Sequence, residues 1–206
     1  MSSMSTPYEA TGRVEQKSRT RSALVAAARE MVAHGLAPSV AEAADAAAIS
    51  RTTAYRYFPN QRSLLAAAHP ETGATSMLGA DPPADPAARL DVVIRRFTDM
   101  IVETEAQQRT MLRLSLEDDP ADRGGQPLRQ GRAITWIAEA LEPVRDQLSD
   151  EELHRLVLAI RSATGIEALV WLTDIGRLSR EAAVELMRWS AQSMLQSALA
   201  VSPSTG

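Results

Sequence analysis

Apolar positions recur along this chain at the three- and four-residue spacing of helices, and nowhere at the alternation of a strand. Ala23, Leu24, Ala27, Ala28, Met31 and Val32 form one stripe, predicting a helix over residues 17–34 closed by Gly35. Three shorter pieces follow. Val40, Ala43, Ala44 and Ala47 share a face behind Ser39, and Ser39 with Glu42 three residues on makes a capping-box pattern. Ala54 and Phe58, four residues apart, mark a second short helix opened by Ser50 and stopped by Pro59. Asn60 caps a third, which carries Leu64 and Leu65. A stretch rich in Pro, Gly and Ser, residues 70–86, then separates these from five longer helices over about 86–106, 107–117, 128–148, 149–174 and 179–201. Pro143 falls inside the third of these and is expected to kink or split it, and Ser149 with Glu152 repeats the capping-box pattern. The fold class is all-α, with about nine helices. The expected division is a disordered arm over 1–16, a small helical domain over 17–69 and a larger one over 70–206.

The second short helix carries the chemistry. Ala54 and Phe58 turn inward, so Arg51, Thr52, Thr53, Tyr55, Arg56 and Tyr57 fan over the rest of its surface. A solvated helix gains little from exposing two tyrosines and two arginines together. A helix lying in a major groove does gain, because arginine can pair with a guanine edge, threonine offers a methyl or hydroxyl, and tyrosine hydroxyls reach phosphates. The alanines of the preceding helix allow the close, steep crossing that a helix-turn-helix requires.

Charge supports that reading once it is divided. The net charge of −4 argues against a nucleic-acid partner, yet residues 1–70 hold eight Arg and Lys against five Asp and Glu, a net +3, leaving −7 on the remainder. Cysteine is absent, which excludes disulfides, thiolate catalysis and zinc–thiolate sites. There is no Gly-rich phosphate loop after a strand, no H-E-x-x-H and no G-x-S-x-G, so no catalytic residue, metal or cofactor is assigned. His154 beside Asp150 reads as a solvated pair, the acids Asp118, Asp119 and Asp122 as a solvated loop, and His34 as a helix cap. No apolar run is expected to reach the ~20 residues that span a bilayer, and the N-terminus lacks the apolar core of a secretory signal. A cytoplasmic location with no membrane partner is the expectation.

The run Ile49-Ser50-Arg51-Thr52-Thr53-Ala54-Tyr55-Arg56-Tyr57-Phe58-Pro59-Asn60, closing on Leu64-Leu65, resembles the DNA-binding end of the TetR family of bacterial transcriptional repressors. The close match spans roughly residues 17–66, and beyond it the likeness is one of layout. Two positions depart: Ala48 stands in the turn where the family usually has Gly, and Gln61 where it usually has a phosphate-binding Lys. The resemblance implies double-stranded operator DNA as partner. Arg51, Thr52 and Thr53 would read bases, Ser39, Tyr55, Tyr57 and Gln61 would hold phosphates, Arg56 either, with Ser50 and Asn60 at the helix starts beside the DNA.

The resemblance also implies a homodimer built from the last two helices, for which Ile160, Thr164, Ala168, Leu186, Trp189 and Met194 are the candidate interface residues. It further implies a small-molecule effector in the second domain. Phe97, Met100, Met111, Trp136 and Trp171 are candidate pocket residues, with Arg113 or Glu117 as polar anchors, although each also reads as ordinary core. The function expected is a repressor on a palindromic operator, released by its effector. The alternatives are an activator, a regulator of this type without a ligand, or an all-helical small-molecule carrier with no sequence-specific DNA reading.

Overall fold

The computed structural model of the chain describes residues 7–69, 75–116 and 131–201. Every regular element among them is a helix. Glu117 and the acids Asp118, Asp119 and Asp122 lie outside the described residues. The chain divides into two compact units, the first comprising residues 1–69 and 113–129 and the second 70–112 and 130–206.

The first unit contains α1 (Pro7–Ala33), α2 (Val40–Ala46), α3 (Arg51–Tyr57) and α4 (Gln61–Ala68). α1 starts at Pro7, in the part of the chain expected to be a disordered arm and before the predicted start at residue 17. Proline is suited to a helix's first position, and no apolar stripe precedes Leu24 to announce the added turns. Gly35 ends α1 with a φ of +78°, where a side chain would be strained. The His34 ring nitrogen lies 2.7 Å from the Glu30 carbonyl in the same last turn. The start of α2 is the predicted capping box: the Glu42 N–H donates to Ser39 Oγ at 3.2 Å, and the Ser39 N–H donates to the Glu42 carboxylate at 2.7 Å. The core is small and alanine-rich. Leu24, Ala28, Val40, Ala43, Ala44, Ala54, Phe58, Leu64 and Ala68 pack together, and fully burying the one large ring, Phe58, contributes about 1.5–3 kcal/mol.

The second unit contains α5 (Pro86–Glu103), α6 (Glu105–Leu116, whose first residues belong to this unit), α7 (Arg132–Ala140), α8 (Asp150–Thr164), α9 (Ile166–Val170) and α10 (Arg180–Val201). Pro143 splits the third predicted helix as expected, leaving a 3-10 segment, Glu142–Gln147, after α7. Asp85 caps α5 by accepting from the Ala88 N–H at 2.8 Å, and the predicted Ser149–Glu152 capping box opens α8. α10 packs on α5 and α8, and α7 packs on α5 and α8, around Leu90, Ile94, Phe97, Trp136, Ile137, Leu141, Ile160 and Leu169. Phe97 and Trp136 meet edge to face, with ring centroids 5.9 Å apart.

The single helix predicted over 149–174 is broken at Gly165, whose backbone is extended. A Cβ there would stand 1.8 Å from Arg161 Nη1, so the guanidinium occupies the space that the missing side chain leaves. The chain resumes as α9 and then widens into a π turn, Trp171–Ile175, closed by the Gly176 N–H donating to the Trp171 carbonyl at 2.9 Å. By length and composition Asp150–Ile175 is apolar enough to cross a membrane, contrary to the expectation from the sequence. Its Leu153, Leu156, Val157, Ile160 and Leu169 are nevertheless buried in the unit's own core, as in the core helix of a globular domain.

Candidate nucleic-acid interface

α3 is held by one face only. Ala54 is fully buried and Phe58, its C-cap residue, nearly so, while Arg51, Thr52, Tyr55 and Arg56 are exposed and Thr53 and Tyr57 half-buried. Tyr55 keeps 49% of its surface accessible, a large exposure for an aromatic residue on a short helix. α2 packs against α3 through its small residues, and α1 contacts α2, α3 and α4, so the helix is braced from behind. Arg21 of α1 adds a further brace, with its guanidinium carbon 5.3 Å from the centroid of the Phe58 ring.

The hydroxyls near the turns are occupied in helix starts. Ser50 accepts from the Thr53 N–H at 3.3 Å and donates to Thr53 Oγ1 at 2.8 Å. Ser39 both accepts from and donates to Glu42, and Asn60 Oδ1 accepts from the Ser63 N–H at 2.8 Å. These residues order the module, and the contacts given above engage their side chains.

Two predicted DNA contacts have partners inside the unit that local patterning did not reveal. The Arg51 guanidinium pairs with Asp45 at 2.7 Å across the turn, holding the Asp45 carboxyl below its ordinary range. The Gln61 amide donates to the Ala37 carbonyl at 2.7 Å. That donor, expected for a phosphate, instead ties the entry of α2 to the start of α4. The turn itself is strained: Ala48 has a φ of +54°, in the left-handed region that glycine occupies without cost.

The candidate effector residues differ widely in exposure. Phe97, Met111 and Trp136 are fully buried and Met100 half-buried, whereas Arg113 is exposed and Trp171 is 60% exposed. Two of the candidate dimer residues lie inside the chain's own core. Ile160 and Thr164 are wholly buried within the chain, Thr164 donating to the Ile160 carbonyl at 2.8 Å, so neither is offered to a second copy. Leu186 and Trp189 are exposed, and Ala168 and Met194 are half-buried. Ala168 and Leu186 line one groove with Trp171 and Ser190. Leu158, Trp171 and Ile175 are further exposed apolar residues of the same unit, and a helix interrupted at Gly165 redistributes the faces that a continuous one would present.

Residues 23–68 match the family profile described as bacterial regulatory proteins, tetR family. No curated protein matches the chain significantly. Among solved structures the chain is similar to a TetR transcriptional regulator from Rhodococcus sp. RHA1, at 20% identity over 86% of this chain and 96% of that one, with a TM-score of 0.61. It is similar also to a tetR-family transcriptional regulator from Streptomyces coelicolor, at 22% identity over 93% of this chain and 92% of that one, with a TM-score of 0.55. At such identities the likeness speaks for the fold. The profile match covers the module built around α3, and over residues 23–68 the chain is similar to the tetR family of bacterial regulatory proteins.

Proposed function

We propose that the protein is a cytoplasmic transcriptional repressor that binds a palindromic operator as a homodimer and is released by a small-molecule effector. The observation that carries this reading is the outward face of α3, where Arg51, Thr52, Tyr55 and Arg56 stand exposed over a buried Ala54–Phe58 anchor. Arg51, Thr52 and Thr53 read base edges, and Tyr55, Tyr57 and Ser39 position the helix on phosphates, with Arg56 serving either purpose. Arg51 exchanges Asp45 for a base as it docks; both side chains of that pair are more than half exposed, and exposed pairs are weak.

One α3 reaches too few bases for a specific site. Two copies related by a twofold axis double the contacts and fix a half-site spacing of one DNA turn, about 34 Å. Trp171, Ile175, Leu186 and Trp189 supply the apolar surface for pairing two chains. An effector that favours another separation of the two α3 helices then weakens binding by shifting the population away from the competent state. The test is Tyr55→Ala in the full chain, measured on a duplex enriched from a random pool. Affinity falls at least tenfold, about 1.4 kcal/mol, with helical content unchanged. Undiminished affinity would remove α3 from the reading.

A further inference from the structure

The middle of α1 and the flank of α3 enclose a groove of about 410 Å³, lined by Gln16, Lys17 and Thr20 from α1 and by Thr53, Arg56 and Tyr57 from α3. The α1 side of it precedes residue 23, where the family profile begins. Its charge is positive. Lys17 is the only lysine in the chain, and neither Lys17 nor Arg56 has a carboxylate within 4 Å among the described residues, in contrast to Arg51 with Asp45. Lys17, Thr20 and Arg21 lie three and four residues apart on one face of α1, and Arg21 packs on Phe58 at the end of α3. The two helices are therefore fixed to each other beside the groove. The Thr53 hydroxyl accepts from Ser50, so its own proton is available to a further acceptor.

We infer that this groove is a binding site for a backbone phosphate of the DNA, built by the middle of α1 against α3. The inference rests on the DNA-binding function proposed above and adds a site to it. A helix about 10–12 Å in diameter fills a major groove about 12 Å wide, so a cleft opening at its flank meets the sugar–phosphate strand and not the base edges. A phosphate oxygen there accepts from the Lys17 ammonium, the Arg56 guanidinium and the Thr53 hydroxyl, all charge-assisted by the phosphate itself. A contact of this kind contributes affinity and salt dependence, and it carries no sequence information.

The experiment is the salt dependence of affinity for a duplex enriched from a random pool, using the full chain and two exposed charge-neutralising variants. Lys17→Gln removes the groove cation. Arg19→Gln makes the same charge change about 200° further around α1, outside the groove. In Lys17→Gln the slope of log affinity against log salt falls by about one per half-site, while the ratio of affinities for the enriched and scrambled duplexes is unchanged. Arg19→Gln shifts the slope by less than half as much. An unchanged slope in Lys17→Gln, or equal losses in the two variants, overturns the phosphate site while leaving the function of α3 intact. A wild-type chain without DNA affinity would overturn both.

Discussion

Arg51, the first residue of α3, is held by Asp45 of α2, with Nη2 2.7 Å from Oδ2 across the strained turn. The pair presets the arginine at the mouth of the reading helix, and the aspartate competes with DNA for it. Asp45→Asn removes the charge that holds the arginine, leaving at most one amide acceptor, and takes a negative charge from the face turned to the DNA. The expected outcome is tighter binding to scrambled duplex and a smaller ratio of specific to non-specific affinity, read by anisotropy titration at fixed salt. An unchanged ratio would mean that Arg51 does not discriminate between sequences.

Ala48 carries the strain of that turn, at a φ of +54°. Left-handed geometry costs an L-residue about 1–2 kcal/mol, and part of the relief from replacing it is lost to the greater freedom of a glycine in the unfolded chain. Ala48→Gly therefore stabilises the protein by about 0.5–1 kcal/mol net, measured by urea unfolding. Equal or lower stability would show that the turn relaxes by other means.

Trp171, at 60% exposure, and Trp189, at 65%, are the largest apolar side chains the second unit leaves in solvent. If they pair two chains, Trp189→Glu places a charge in an apolar interface and yields a monomer, as read by sedimentation. The same variant loses operator affinity through the lost second half-site, with α3 untouched. A Trp189→Glu protein that stays dimeric would move the interface elsewhere.

Arg109 of α6 grips Asp174 of the π turn with two hydrogen bonds of 2.7 and 2.8 Å, and its Nε donates to Glu105 at 2.7 Å. The Arg109 guanidinium first, and then Thr173, lowers the Asp174 pKa to about 2 from its usual 3.8. A depressed carboxylate contributes stability that is complete above its unfolded pKa and is lost as the pH falls through its folded one. The window is therefore about pH 4 down to 2. Asp174→Asn is less stable than wild type at neutral pH and converges with it near the bottom of that window. Parallel stability curves across the window would deny the clamp.

The parts of this fold that announce themselves in sequence are those decided within one turn of helix. Ser39, Ser50, Asn60 and Ser149 read as caps because each has its partner three residues on, and each makes that contact. Ala54 and Phe58 turn inward because four residues make one turn. What distant residues decide was not legible. Gln61 meets Ala37, 24 positions away, and Arg51 meets Asp45 around a turn, so neither partner follows from periodicity. Ile160 and Thr164 share the apolar pattern of a helix buried on several sides, and the pattern does not say which side the chain covers itself. Nothing in the apolar pattern around Gly165 marks a break in the helix, where the Arg161 side chain fills the space beside the missing Cβ. The early start of α1 had no apolar stripe to mark it, and the groove around Lys17 joins residues of α1 to residues of α3 far along the chain, which periodicity does not reveal.

The central claim is that α3 reads a DNA sequence as one half of a symmetric pair. Its most direct test is selection of bound duplexes from a random pool by the purified full-length protein at moderate salt. The expected product is a palindrome whose half-sites are centred one helical turn apart, about 10 base pairs. Enrichment of an unpaired half-site, or of no sequence at all, would contradict it.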